Sequence, residues 1–293
     1  MRLGALDASG SRMLCVVGNE RGRVIERKEF PTRLPEENIA EIVGFFQGKR
    51  IDALGIGSFG PLNLNPKSRD YGSLTTTPKV GWENYPLRNA LWEALDVPVG
   101  IDTDVDAAAM AEVELGAGKN VDTLVYYNIS NGIGGGLMVT GRLHHGLVHP
   151  EMGHMLLRPD PRDPQPGGFC PYHDGCLEGL AGRTALEKRW GMPIEQLPAD
   201  HVGWDIEAEY LAQMCVNTIV MLSPERIVLG GPVMRQLALF DRIRRLTSEK
   251  LNGYVAHKDV TDGMKSYIVP SALGENAVMT GALLLAFDAL KNQ

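Results

Sequence analysis

The chain has 293 residues and a net charge of −7, with 29 Lys and Arg against 36 Asp and Glu. Its 44% hydrophobic and 22% charged residues are typical of a folded globular protein and exclude an intrinsically disordered chain. An acidic chain without a Lys/Arg cluster is poorly suited to bind nucleic acid or an anionic membrane. No segment has the roughly 20 apolar residues of a membrane span, and Asp7 comes too early for a signal peptide. We expect a cytoplasmic protein.

Apolar runs alternate with helical patterns in the first part of the chain, which favours an α/β fold over an all-β fold. Three strands separated by short turns open the chain and are expected to pair as an antiparallel meander. The predicted strands cover residues 2–7, 12–17, 23–30, 51–59 and 97–101. The predicted helices cover residues 36–46, 87–95 and 104–115.

The pattern restarts at residue 123 with a strand, a glycine-rich turn over 130–136 and a second strand over 136–140. This repeat indicates two similar α/β halves, although strand–glycine–strand hairpins are also common in unrelated folds. We place a small domain at 1–116 and a large domain at 117–276, and we expect the C-terminal helix 277–290 to pack back onto the first. The other predicted elements are helices over 177–190 and 206–222, strands over 226–229 and 267–269, and a proline-rich loop over 159–168.

Three potential metal ligands stand at C-x2-H-x2-C spacing, namely Cys170, His173 and Cys176. Such tight spacing lets side chains converge on one tetrahedral ion, and His154 is the best-placed fourth ligand. A Cys2His2 set without an open position favours structural Zn²⁺ in a loop over 154–178. The alternative is a pair of free cysteines and a loop histidine.

Four other histidines and the two other cysteines show no comparable pattern. We expect surface positions for the histidines and buried, unpaired thiols for the cysteines, because the compartment is reducing. The histidines are His144, His145, His149 and His201, and the cysteines are Cys15 and Cys215.

Turns of small residues follow three predicted strands, at 7–11, 130–136 and 230–231. Glycine allows backbone N–H groups to approach phosphate oxygens because no Cβ intervenes. None of the three matches a P-loop or a dinucleotide fingerprint, and each alone could be a plain turn. Three together favour a nucleotide bound in a cleft between two halves.

Asp104 stands where a strand ends and a helix begins, which is a common location for catalytic groups in α/β folds. It could act as a general base or simply cap the helix. Asp102 and Asp106 flank it, and close carboxylates raise one another's pKa. Glu151 and Glu178 flank the metal ligands and could bind hydroxyl groups, or they could be solvated loop acids.

These motifs together resemble the ROK family of sugar kinases in the actin-like ATPase superfamily, and its bacterial fructokinase branch in particular. The resemblance covers almost the whole chain, and the cysteine-containing segment is its most specific part. The matching segments are 55–61, 71–72, 76–79, 81–82, 103–105, 149–154, 170–181 and 229–231.

The resemblance implies two ribonuclease-H-like domains, with ATP and a hexose in the cleft between them. It implies that Asp104 is the base that takes a proton from the sugar, most simply from the 6-hydroxyl of fructose. The implied sugar-binding residues are Thr103, Glu151, His154 and Glu178. The implied ATP-binding residues are Asp7, Gly10, Ser11 and Arg12 in the first loop, Gly132, Gly134 and Gly135 in the second, and Gly230 and Gly231 near the adenosine.

The same resemblance implies Mg²⁺ bound with ATP and a homodimer. Mannose or glucose could use the same carboxylate contacts as fructose, so residue types alone leave the hexose open. Departures from the family pattern all fall on the nucleotide side, at Ser9, Arg12, Asn131, Asp106 and Pro232. They support a second hypothesis, in which the protein senses a sugar with weak or no kinase activity. A third is a kinase that uses another phosphoryl donor or another hexose.

Overall fold

A computed structural model describes residues 1–292 and shows an α/β fold with two mixed β-sheets. The chain divides into two compact units. Unit 1 comprises Met1–Gly116, Arg142–Pro150 and the described chain from Glu275 onward, and unit 2 comprises Ala117–Gly141 and Glu151–Gly274. None of the helices in residues 1–292 is long and apolar enough to cross a bilayer.

Unit 1 is built on a sheet in the order β3-β2-β1-β4-β5. The β1–β2 and β2–β3 pairs are antiparallel, which confirms the predicted meander, and the β1–β4 and β4–β5 pairs are parallel. Its strands are β1 Leu3–Ala8, β2 Arg12–Gly18, β3 Val24–Pro31, β4 Ala53–Ser58 and β5 Val99–Thr103. Its helices are α1 Pro35–Phe46, α2 Leu87–Leu95, α3 Asp104–Leu115 and α10 Ala277–Lys291.

The three parallel strands of unit 1 end at the same edge of the sheet. Ala8 pairs with Ser58, and Ser58 pairs with Thr103. The next residues along the chain therefore leave the sheet side by side, and the carboxyl edge of parallel strands is where α/β folds bind ligands.

Helix α10 packs against β1, β4, β5 and α3 at very short range. Glycine makes this possible, because a Cβ on Gly55 would lie 1.8 Å from the carbonyl oxygen of Ala282. The same is true of Gly281, where a Cβ would lie 1.8 Å from the carbonyl oxygen of Ala107. Ala282 and Leu283 of α10 are buried there in one hydrophobic cluster with apolar residues of β1.

The sheet of unit 2 repeats the connectivity of unit 1. An antiparallel hairpin, β6–β7, is extended by the parallel strands β9 and β10, just as β1–β2 is extended by β4 and β5. The repeated hairpin in the sequence thus corresponds to a repeated strand order. The strands are β6 Leu124–Ile129, β7 Ile133–Val139, β9 Arg226–Gly230 and β10 Ile268–Pro270, while the two-residue strand β8 Arg142–Leu143 follows β7 along the chain.

Six helices complete unit 2, with a core that includes Tyr127, Trp204 and Leu211. Their bounds are α4 Leu177–Ala181, α5 Arg183–Trp190, α6 Val202–Leu222, α7 Ala238–Leu251, α8 Lys258–Thr261 and α9 Met264–Tyr267, as far as the chain is described. The single helix predicted over 177–190 is wrong, because Gly182 has an extended conformation (φ −64°, ψ 151°) that separates α4 from α5. Helix α7 has no counterpart among the predicted elements.

The glycine-rich turn predicted over 130–136 is shorter than expected. Strand β7 already begins at Ile133, and Gly134, Gly135 and Gly136 pair with residues of β6. A Cβ on Gly135 would lie 2.7 Å from the side chain of Met152, so this glycine allows close packing inside the unit.

Candidate active site

Asp104 is the first residue of α3 and directly follows β5. The helix cap is Thr103, whose Oγ1 accepts a hydrogen bond from the Asp106 N–H at 3.2 Å. The alternative in which Asp104 itself caps the helix is therefore wrong. Asp104 accepts one hydrogen bond of 2.9 Å from the Val105 N–H, which leaves other lone pairs of its carboxylate available.

Burial raises the pKa of Asp104 to about 7, and the negative charge of Asp7 adds to this effect. Burial also raises the pKa of Asp7, although the Ser9 N–H donates a 3.0 Å hydrogen bond to its Oδ1. A carboxyl group that titrates near neutral pH is suited to remove a proton under physiological conditions.

The two acids that flank Asp104 are bound by histidines. His145 Nε2 lies 3.0 Å from Asp102 and 3.5 Å from Asp106, and His149 Nδ1 lies 3.0 Å from Asp106. The prediction that His149 is a surface residue is wrong, because its side chain is buried against α3. His145 stays partly exposed but makes specific contacts that its residue type alone does not reveal.

These contacts separate the pKa values of the three acids. Burial raises the pKa of Asp102 to about 6. Burial alone would also raise the pKa of Asp106, but hydrogen bonds from His145 and His149 hold it below its ordinary value. Hydrogen bonds to the two acids raise the pKa of His145 to about 10. The sequence predicted that the three acids raise one another's pKa. For Asp106 this prediction is wrong, because a protonated His145 compensates the charge of Asp106.

The first predicted phosphate loop follows β1 and includes Gly10 and Ser11. A Cβ on Gly10 would meet no atom within 4 Å, so packing within residues 1–292 does not require this glycine. Arg12 lies at the start of β2, and its Nη1 is 3.1 Å from both carboxylate oxygens of Glu29. The Arg12 side chain is 60% exposed, so its charge lies on the outer surface of the hairpin.

In unit 2, Glu178 lies against the second predicted phosphate loop. Its Oε2 accepts a hydrogen bond of 2.9 Å from the Ile133 N–H and occupies space that a Cβ on Gly132 would need. The structure therefore places a predicted sugar-binding residue beside a predicted phosphate loop. Glu151 is exposed just before a short 3₁₀ helix, Met152–His154.

Gly230 is the last residue of β9 and Gly231 directly follows it, and both are tightly packed. Gly231 has a φ of +92°, and a Cβ there would lie 2.4 Å from the carbonyl oxygen of Ile129. A Cβ on Gly230 would lie 2.4 Å from the hydroxyl of Tyr126. The chain can turn this closely around β6 because both residues lack a side chain.

The four predicted metal ligands come together in unit 2. Their ligand atoms all lie within 4.8 Å of one another. Cys170 Sγ is 3.6 Å from His173 Nδ1, and Cys176 Sγ is 3.7 Å from His154 Nδ1. Tetrahedral zinc with bonds of about 2.0–2.3 Å places its ligand atoms roughly 3.3–3.8 Å apart, so this cluster fits such an ion. All four cysteines are free thiols, and Cys15 and Cys215 are buried as expected.

The comparison with known proteins identifies the class to which this fold belongs. The chain matches the model of the ROK family over residues 3–289. It is 41% identical over 292 residues to a fructokinase of Pediococcus pentosaceus, covering 100% of both chains. It is 40% identical over 297 residues to a fructokinase of Zymomonas mobilis subsp. mobilis, covering 98% of this chain and 96% of that one.

A solved structure supports the same assignment. The ROK hexokinase from Thermus thermophilus superposes with a TM-score of 0.80 at 26% identity, and the match covers 100% of both chains. The two mixed sheets thus have the architecture of ROK sugar kinases, which is the actin-like ATPase fold. The chain belongs to the ROK family.

Proposed function

We propose that this chain is an ATP-dependent fructokinase that transfers the γ-phosphoryl group of ATP to the 6-hydroxyl of fructose. The observation that carries the proposal is the level of similarity to fructokinases, about 40% identity over essentially the full chain. The geometry of Asp104 supplies the chemistry, because a carboxylate with a pKa of about 7 directly after β5 can act as a general base.

In the proposed reaction, Asp104 accepts the proton of the fructose 6-hydroxyl, and the hydroxyl oxygen forms a bond to the γ-phosphorus of ATP. The bond between that phosphorus and the bridging β–γ oxygen breaks, and its electron pair leaves on ADP. Phosphoryl transfer depends mainly on positioning and charge stabilisation. Mg²⁺ would neutralise charge on the ATP phosphates.

The proposed sugar ligands are Thr103, Glu151, His154 and Glu178, and the proposed ATP contacts are the glycine-containing loops described above. The Cys2His2 cluster is proposed to hold a structural Zn²⁺ that shapes the loop carrying Glu178. His154 would then contribute to both roles through its two ring nitrogens. A homodimer remains a prediction from the family resemblance.

A sugar sensor without kinase activity is not favoured, because the full-length relatives named above are fructokinases. The departures in the phosphate loops therefore call for another explanation than the loss of kinase activity.

The test is ADP release that depends on Mg-ATP, measured with fructose, mannose, glucose and N-acetylmannosamine. We expect turnover with fructose, and we expect Asp104→Asn to lower kcat by about 10²- to 10⁴-fold with little effect on fructose affinity. Turnover with only one of the other sugars would keep the kinase assignment and replace fructose as the substrate. Fructose that raises the melting temperature without stimulating ADP release would contradict the kinase and support the sensor.

A further inference from the structure

Two basic residues, Arg12 and Lys79, differ in how they contact the first predicted phosphate loop. Arg12 is the basic residue of the loop in sequence, but its guanidinium is paired with Glu29 on an exposed surface. The cation that contacts the loop itself is Lys79, which is distant in sequence. Its Nζ donates a hydrogen bond of 2.8 Å to the carbonyl oxygen of Gly10.

The position of Lys79 follows from the edge of the unit 1 sheet. Its Nζ lies 4.6 Å from the ring centroid of Phe59, which directly follows β4. The Phe59 N–H donates to the Ala8 carbonyl at 2.8 Å, so the backbone of Phe59 is held beside the end of β1. Lys79 therefore lies at the edge where Gly10 and Asp104 also leave their strands.

The charge of Lys79 is not compensated by a carboxylate in direct contact. Within residues 1–292, no carboxylate oxygen lies within 4.0 Å of its Nζ, whereas Lys49 forms such an ion pair with Glu26. Burial lowers the pKa of Lys79, and the nearby charge of Asp104 opposes that effect. A half-buried ammonium without an ion-pair partner is costly, and the hydrogen bond to Gly10 uses only one of its three donors.

The loop has contacts to the rest of unit 1 other than the hydrogen bond from Lys79. Thr32 Oγ1 also donates to the Gly10 carbonyl at 3.1 Å, and the Thr32 N–H donates to the Ser11 carbonyl at 2.9 Å. Both hydrogen bonds come from Thr32, directly after β3, so the loop is held at two points without the ammonium of Lys79.

We propose that Lys79, rather than Arg12, is the cation that binds the phosphoryl group during its transfer. The ammonium lies over the phosphate loop and in electrostatic range of Asp104, so it is placed to neutralise charge on the γ-phosphoryl oxygens as the bond to ADP breaks. The proposal rests on the proposed kinase function. It accounts for the departure from the family pattern at Arg12, since the guanidinium of Arg12 pairs with Glu29 in this chain.

The experiment compares Lys79→Gln with the matched variant Lys49→Gln. Both lysines lie 4.6 Å from a phenylalanine ring centroid, but Lys49 is paired with Glu26. We expect Lys79→Gln to lower kcat by about 10²-fold, to weaken Mg-AMPPNP binding by about tenfold, and to leave Mg-ADP binding unchanged. Lys79→Arg should restore part of the AMPPNP affinity, and Lys49→Gln should behave as wild type. Melting temperatures show whether each variant is folded.

Three results would overturn the assignment. One is an equal loss of ADP and AMPPNP affinity in Lys79→Gln, which would mean that Lys79 only supports the loop. Another is a Lys79→Gln variant indistinguishable from Lys49→Gln. The third is a greater loss of AMPPNP affinity in Arg12→Gln than in Lys79→Gln. Wild-type turnover on fructose tests the kinase separately, since the binding comparison decides on Lys79 even if no sugar is phosphorylated.

Discussion

The pKa of Asp104 sets the expected pH dependence of the proposed reaction. Burial and Asp7 raise this pKa to about 7, and a general base must be deprotonated to act. We expect kcat/KM for fructose to rise about tenfold per pH unit below 7 and to level off above it. The measurement is a pH–rate profile from pH 5 to 9.

A variant at the neighbouring acid provides the control for that profile. Asp7→Asn removes a negative charge that raises the pKa of Asp104, so any remaining activity should show its inflection at lower pH. A profile that is flat from pH 5 to 9 in the wild type would contradict the assignment of Asp104 as the base.

Residue types in the sequence indicated Asp104 and the metal ligands, but not the partners of Asp102 and Asp106. Three of the four metal ligands share a short segment, so their spacing is visible in the sequence. The contacts of His145 and His149 with these acids join residues 43 positions apart. Only the folded chain brings such groups together, and no local period marks them. Thr103 could have been identified as the cap, because Thr before a helix is a common N-cap.

The loop that contains the Cys2His2 cluster should depend on its metal. We expect about one zinc ion per chain in the wild type and none in Cys170→Ser, measured by elemental analysis. A chelator should lower the melting temperature of the wild type, by about 2–4 °C for each kcal/mol of lost stability. The Cys170→Ser variant should not respond to the chelator. A wild-type protein that holds no metal and ignores the chelator would contradict the zinc proposal.

A buried ion pair holds the proline-rich loop against α5 of the same unit. Arg189 Nε lies 2.8 Å from Asp163 Oδ1, with side-chain exposures of 1% and 0%, and the Tyr210 hydroxyl donates to the other oxygen of Asp163 at 2.6 Å. Removing one partner leaves the other charge buried. We expect Arg189→Ala to lower the free energy of unfolding by about 3–5 kcal/mol, measured by chemical denaturation.

An exposed ion pair on α7 gives the comparison for Arg189→Ala. Arg245 lies 2.7 Å from Glu249 one turn along the helix, and both side chains are more than half exposed. Arg245→Ala should change the free energy of unfolding by no more than about 0.5 kcal/mol. Equal effects of the two substitutions would show that the buried pair does not hold the loop.

The boundaries of helices and strands were predictable where one residue type decides them. They were less predictable at glycines, which can either form a turn or allow close packing within a strand. Helix α3 matches its predicted range, because Asp104 and Gly116 bound an alanine-rich segment. Gly134 and Gly135 favoured a turn in the sequence, yet both lie in β7, and Met152 packs where a side chain on Gly135 would be. Packing across the unit decides such cases, and local sequence does not contain that information.

On the scale of the whole molecule, the close packing of α10 predicts a strong response to one methyl group. A Cβ on Gly55 would lie 1.8 Å from the backbone of α10, which has no flexible end that could move aside. We expect Gly55→Ala to lower the free energy of unfolding by about 1–3 kcal/mol, measured by chemical denaturation.

Gly44 in α1 is the matched control, because a Cβ there would meet nothing within 4 Å. Gly44→Ala should leave the free energy of unfolding unchanged or raise it by up to about 1 kcal/mol. A Gly55→Ala protein as stable as the wild type would show that α10 can shift away from β4 without cost.

The segment order of unit 1 has a consequence for synthesis on the ribosome. Unit 1 begins at the first residues but requires α10, which packs on β1 and β4 and comes after the last residue of unit 2. During translation, all of unit 2 emerges while the glycine-lined face of the unit 1 sheet is still uncovered. The half of the protein that is made first is therefore completed last, and its exposed apolar face is the surface that chaperones would have to protect in the meantime.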